Sequence, residues 1–180
     1  MHSQSSLSLG VFVVVISLVA IQRLFEMRLS SRNESHLKTL GAQEYSPGHF
    51  IWMKLLHLGW LAGMLLEVWF FDRPWHPAVA ILAAVGLISG QLLRYAAILT
   101  LKHRWTVRIY VLPDSQRIQH GIFRWLRHPN YTGVVLEIAA VPLLHMAWIT
   151  AITFTILNAW LLWIRIHAEE RALARNSRPE

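Results

Sequence analysis

Five long apolar runs divide the chain, and they decide what it folds into before any other feature is considered. The runs are Leu7 to Gln22, Phe50 to Phe71, Pro77 to Leu93, Tyr131 to Leu144 and Ala147 to Ile164. A helix that crosses a bilayer needs roughly 20 such residues. Lipid offers the backbone no hydrogen-bond partner, so only helices or closed barrels span. These runs are too long and too continuously apolar for barrel strands. The expectation is an all-α polytopic membrane protein of about five spans, forming one membrane-embedded domain over residues 1–180. The fourth run is short for a span, and Pro142 near its end suits a kink or a stop. Runs four and five are joined only by His145 and Met146, which predicts a helical hairpin.

Composition agrees. The chain is 54% hydrophobic and 15% charged, with nine Trp, and Trp collects at bilayer interfaces. The net charge of +7 does not read as a nucleic-acid surface, because the basic residues lie between apolar runs instead of forming one patch. Anionic lipid headgroups suit those charges better. The segment 23–49 carries Arg23, Arg28, Arg32 and Lys38. The segment 102–130 carries Lys102, Arg104, Arg108, Arg117, Arg124 and Arg127 against Asp114, and the tail carries Arg165, Arg171, Arg175 and Arg178. Placing these segments in the cytoplasm satisfies the positive-inside rule, with the N-terminus outside. No Lys or Arg precedes the first run and no small-residue cleavage site follows it, so it reads as a span and not as a cleaved signal. Arg94, closing the third run, reads as a snorkelling end charge.

The absence of cysteine removes disulfides, thiolate metal sites and a Cys nucleophile. Ten histidines invite a metal reading, but no two are closer than eight residues. No single helical turn presents a ligand pair, so no metal is expected.

Two polar segments remain. One is Arg127-His128-Pro129-Asn130-Tyr131-Thr132-Gly133, preceded by Gly121. Pro129 pushes His128 out of the α region and suits the first turn of a helix, whose free amides form an anion site. Gly133 allows close approach to that helix. The other segment is Arg165-Ile166-His167-Ala168-Glu169-Glu170. Arg165 and Glu169 share a helical face, so a surface ion pair is the plain alternative to a site. The predicted hairpin brings Tyr131 and Arg165 together. Glu137, about 9 Å further along the fourth helix at 1.5 Å per residue, is an ionisable group in the membrane and therefore a functional candidate. A hydrogen bond to Asn158 or Arg94 is its structural alternative.

An Arg-His-Pro-x-Tyr-x-Gly opening a helical hairpin, with Arg and Glu-Glu at its far end, resembles the isoprenylcysteine carboxyl methyltransferase family over roughly residues 100–173. The resemblance implies S-adenosylmethionine as cofactor, with S-adenosylhomocysteine as product. It implies Gly121, Arg127, His128, Pro129, Tyr131, Gly133, Glu169 and Glu170 around the cofactor, and Arg165 and Glu137 toward the acceptor. Gln22-Arg23-Leu24, Asn33, Gly41-Ala42-Gln43-Glu44, His57, Trp105-Thr106-Val107-Arg108-Ile109 and Val111-Leu112-Pro113 are similar to a bacterial branch encoded near type III polyketide synthases. Members of that branch O-methylate alkylpyrones or related phenolic lipids. Ile122-Phe123 departs from the Pro-Tyr of many relatives. The resemblance thus implies an O-methyltransferase of the bacterial inner membrane acting on a lipophilic acceptor. A phospholipid-type N-methyltransferase and a non-enzymatic transporter or scaffold are the alternatives. Transporters often carry repeats and broken midplane helices, and neither is evident here.

Overall fold

The computed structural model describes residues 2–113 and 115–176, with side chains for 7–113 and 115–175; Asp114 and Arg178 lie outside them. Five helices carry the fold: α1 (His2–Thr39), α2 (His49–Phe70), α3 (Pro77–Leu101), α4 (Pro129–Leu143) and α5 (Trp148–Asn176). Two short strands, β1 (Gln43–Tyr45) and β2 (Ile109–Val111), and 3-10 turns at Lys102–Arg104 and Gly121–Arg124 fill the connections. The protein is an all-α, multi-pass membrane protein. Four helices are long and apolar enough to cross a bilayer. They expose large apolar side chains such as Leu66, Trp69, Leu82, Leu99 and Trp160, as lipid-facing helices do. Trp60, by contrast, is buried and donates its indole N–H to the Ile138 carbonyl at 3.0 Å.

α4 spans only about 22 Å at 1.5 Å per residue, short of the roughly 30 Å hydrocarbon layer. It is instead a packed helix, lying chiefly against α3 and then α5. Glycines make the α3–α4 contact. A Cβ on Gly133 would stand 2.6 Å from both the Gly90 carbonyl oxygen and Arg94 Cγ, and one on Gly90 would meet the Gly133 oxygen at 2.8 Å. Small residues let membrane helices approach this closely. The close approach expected at Gly133 is therefore to α3 and not to a ligand. Gly121 (φ +60°) likewise turns the chain against Thr100, whose Oγ1 a Cβ there would meet at 2.8 Å.

The α4–α5 hairpin closes through Met146 at φ +57°. The amides of Met146 and Ala147 return to the carbonyls of Leu143 and Pro142, at 3.3 and 2.9 Å. This is a Schellman arrangement, and Pro142 sits beside the helix stop. Glu67 of α2 caps the start of α5. It accepts from the Ile149 and Thr150 amides (3.1 and 2.7 Å) and the Thr150 hydroxyl (2.8 Å), and pairs with Arg73 at 2.9 Å.

α1 differs most from expectation. It does not end with the first apolar run at Gln22 but continues to Thr39, where Gly41 (φ +83°) ends it with a second Schellman pair, Gly41 to Lys38 and Ala42 to Leu37. No Gly or Pro interrupts residues 23–39, so nothing stops the helix there. The extension holds the connection after α3. Asn33 donates to the Trp105 and Lys102 carbonyls (2.7 and 3.2 Å), and Ser30 accepts from the Val107 amide at 2.8 Å. β1 then pairs antiparallel with β2, Glu44 opposite Tyr110. Ile109 and Val111 pack on Ala168 and Ala172 of α5.

Gly133→Ala is expected to force α3 and α4 apart and to cost about 1–3 kcal/mol as an overpacking change. A lowered thermal unfolding midpoint in detergent is the readout, and an unchanged midpoint would show that the crossing is looser than described.

Candidate functional site

The connections at one end of the bundle surround a cavity of about 520 Å³, within the range of small-molecule sites of roughly 300–1,000 Å³. All five helices reach it. Arg127, His128, Pro129, Asn130 and Tyr131 line it from the start of α4, and Arg165 and Glu169 line it from α5. Leu24 and Met27 of α1, and Phe50, Met53, Leu58 and Leu61 of α2, extend it as an apolar wall. The cavity therefore has a polar end at the motif and an apolar end within the bundle.

The hairpin brings the two motif segments together. Tyr131 donates its hydroxyl to Glu169 at 2.6 Å, its ring lies 5.5 Å from the His128 ring in a stacked arrangement, and the Arg165 guanidinium sits 5.9 Å from its centroid. Arg165 is buried, not the surface ion-pair partner of Glu169, and donates to the Val107 carbonyl at 2.6 Å. Glu170 takes a different position. It binds Arg127 at 2.5 Å, His128 Nε2 at 3.0 Å and Arg117 at 3.6 Å, and it is not among the cavity-lining residues. Glu170 latches the 117–128 connection to α5, while Glu169 faces the cavity. Gly121, Gly133 and Glu137 also lie outside the lining; the two glycines serve the packing already described.

Glu137 belongs to a buried ion cluster. Arg23 donates to Glu137 and, at 2.6 Å, to Glu26; Arg94 donates to Glu26 and lies 3.6 Å from Glu137. Gln22 bridges Glu26 (2.9 Å) and Gln91 (2.7 Å). Arg94 is 3% exposed, so it is an internal charge and not a snorkelling one. Asn158 is not the partner of Glu137. The carboxylate of Glu137 stands behind Arg23 and Arg94, and those two, with Glu26, face the cavity. Sequence reasoning passed over Glu26. The signal was its spacing of three residues from Arg23 within an apolar helix, which puts both charges on one face.

Five polar atoms of lining residues are buried without a hydrogen-bond partner among the described residues: Arg23 Nε, Arg94 Nε, Trp105 Nε1, Asn130 Oδ1 and Arg165 Nε. Besides the two arginines of the ion cluster, two are donors and one is an acceptor. The amides of Asn130 and Tyr131 in the first turn of α4 also lack intrahelical acceptors. A ligand with a carboxylate, an ammonium and a ring that accepts hydrogen bonds suits this set, and S-adenosylmethionine is such a ligand. Glu169 adds the negative charge that its cationic groups require.

The model of the isoprenylcysteine carboxyl methyltransferase (ICMT) family matches residues 80–175, from α3 through α5. The chain belongs to the isoprenylcysteine carboxyl methyltransferase family. Members of this family are membrane methyltransferases that use S-adenosylmethionine. An uncharacterized Bacillus subtilis protein, YpbQ, is 34% identical over 166 residues, covering 92% of this chain and 98% of that protein. An uncharacterized Haemophilus influenzae protein is 28% identical over 153 residues, covering 84% and 88%. A probable protein-S-isoprenylcysteine O-methyltransferase of Oryza sativa subsp. indica is 27% identical over 101 residues, 55% of this chain and 47% of the plant protein. No solved structure matches.

Removing one member of the buried cluster strands its partners in a medium that cannot solvate them. Glu137→Leu is expected to cost about 3–5 kcal/mol. Adding Arg23→Met should recover most of that loss, because Glu26 and Arg94 remain a balanced pair. Denaturation midpoints of the single and double variants check this, and purely additive losses would mean that the charges are not coupled.

Proposed function

We propose that this family member is an O-methyltransferase that transfers the methyl group of S-adenosylmethionine to a lipophilic acceptor at the cytoplasmic membrane face. The acceptor is an alkylpyrone-like or phenolic lipid, or a lipid carboxylate, supplied to the bacterial inner membrane by chemistry of the type III polyketide synthase kind. One observation carries the reading: a single cavity is lined at one end by the motif residues and at the other by the apolar faces of α1 and α2. Such a cavity lets an alkyl chain stay among apolar side chains while its polar head meets the donor.

The bound sulfonium supplies an already activated methyl group, so the protein's work is alignment and desolvation, worth up to roughly 7–11 kcal/mol in the best cases. Glu169, with one oxygen taken by Tyr131, has the other for an ammonium or a ribose hydroxyl. The α4 amides, with His128 at the N-cap position, receive a carboxylate. Arg165 is fixed by Val107 and stacked beside Tyr131, which leaves its Nε to orient an acceptor oxygen.

Calorimetry with S-adenosylhomocysteine on the detergent-purified chain tests this. Wild type should bind, and His128→Ala and Glu169→Gln should each weaken binding by about tenfold or more, about 1.4 kcal/mol. Glu170→Gln, outside the cavity, should lose less. No binding by folded wild type would remove the methyltransferase reading of this cavity. Equal losses for Glu169→Gln and Glu170→Gln would discard the division between the two carboxylates.

A further inference from the structure

A second, open groove of about 490 Å³ runs along the 117–127 connection. Arg117, Arg124 and Arg127 line it together with Phe123, Trp125 and Leu126. Arg117, Phe123 and Arg127 also line the larger cavity, so the connection is a wall common to both; Arg124 and Trp125 line the groove alone. The groove is cationic. Glu170 binds Arg127 at 2.5 Å and Arg117 at 3.6 Å, and among the described residues no carboxylate pairs with Arg124. One carboxylate against three guanidiniums leaves an excess of positive charge. The Arg124 guanidinium instead lies 5.7 Å from the centroid of the Trp125 ring, a cation–π contact, and Trp125 is 78% exposed.

The depth of the groove fits one kind of occupant. Gly121, at φ +60°, turns the chain against Thr100 in the last turn of α3, and Leu99 beside it is exposed. Lys102, His103 and Arg104 follow at once. The groove therefore starts where α3 leaves the hydrocarbon, at the level of the lipid headgroups. An exposed Trp belongs at that level, and anionic leaflet surfaces attract cations placed there. We propose that the groove seats the phosphate head of an anionic phospholipid, with Arg124 as its main contact, and that the seated lipid steadies the wall of the donor cavity. Guanidinium forks match phosphate oxygens bidentately, while Trp125, Phe123 and Leu126 offer apolar surface to the glycerol and the first acyl carbons. A soluble anion would answer the arginines and leave that apolar surface in water, which favours a lipid as the source of the phosphate. The link to the donor follows from the shared residues: an anion that holds Arg117 and Arg127 restrains side chains that also face the larger cavity. This link rests on the methyltransferase reading of that cavity; the lipid site does not.

The test titrates the detergent-purified full chain, by calorimetry, with dihexanoyl phosphatidylglycerol, dihexanoyl phosphatidylcholine and inorganic phosphate. Wild type should bind phosphatidylglycerol saturably, and about tenfold or more tightly than phosphatidylcholine. Arg124→Gln should weaken that binding about fivefold or more, and Trp125→Ala should weaken it as well. A double variant, Arg28→Gln with Arg32→Gln, removes two exposed cations of α1 outside the groove and should leave it unchanged. Unaltered thermal midpoints report that the variants are folded. The lipid site is overturned if wild type shows no preference for phosphatidylglycerol or if the preference survives Arg124→Gln. It is also overturned by an equal loss in the α1 double variant, which would mean diffuse surface charge, or by inorganic phosphate displacing the lipid at equal concentration, which would mean a site for soluble anions. S-adenosylhomocysteine should bind wild type more tightly when phosphatidylglycerol is present, and Arg124→Gln should lose that gain; equal affinities with and without the lipid would overturn the link to the donor wall. A wild type that binds phosphatidylglycerol through Arg124 but no S-adenosylhomocysteine would leave the lipid site standing and fail the methyltransferase reading instead.

Discussion

A charge within the hydrocarbon layer has to be answered by another charge, because neither water nor lipid will answer it. In this protein Arg23, Glu26, Arg94 and Glu137 answer one another from three different helices. The consequence reaches past local neutralisation. α4 is too short to span and cannot be positioned by the bilayer as the longer helices are. It is positioned by Glu137, which ties it to α1 and α3, and by Gly133, which lets it approach Gly90 closely enough for the ties to close. Each guanidinium is shared between carboxylates, so the cluster ties three helices together at one point.

Once α4 is set, the polar end of the cavity follows. His128 and Tyr131 stand at its first turn, and the Met146 reversal returns α5 antiparallel so that Glu169 meets the Tyr131 hydroxyl. The opposite wall depends on α1. Its extension beyond the membrane carries Ser30 and Asn33 to the 102–107 connection, and Arg165 grips the same connection through Val107. α1 and α5 thus hold one strap between them. That strap places Trp105 and Arg108 on the cavity, and Arg108 is steadied by Glu44 at 2.9 Å.

Much of this was legible in the chain. The apolar runs announced the membrane helices because twenty residues of hydrocarbon leave little else to form. The Arg-His-Pro and Glu-Glu segments were legible as one group because a two-residue connection forces their helices together. What was not legible depends on direction and not on spacing. Arg23 was placed in the basic segment after the first apolar run because a charge there looks like a boundary, yet its partner on α4 makes it an interior residue. Gly133 and Glu170 lie within the motifs and still face away from the cavity. Three-residue strands such as Gln43–Tyr45 are too short to show a period, so β1 and β2 had no signal of their own.

The adjacent glutamates show how the fold converts sequence adjacency into opposite tasks. Successive helical residues point about 100° apart, so Glu169 and Glu170 cannot face the same space. Glu170 gathers Arg127, Arg117 and His128 on the outside of the connection, which neutralises the cations nearest the polar end. Glu44 does the same for Arg108, and Glu26 and Glu137 for Arg23 and Arg94. With those cations answered elsewhere, Glu169 is left on the cavity wall with a tyrosine hydroxyl and a share of Arg165, able to receive a cationic donor without a fully free guanidinium to repel it. The deep end holds Arg23, Glu26 and Arg94, whose charges are answered within the cluster they form with Glu137. The two ends of one cavity thereby differ in charge, and the ion pairs around the cavity, more than any single residue inside it, establish that difference.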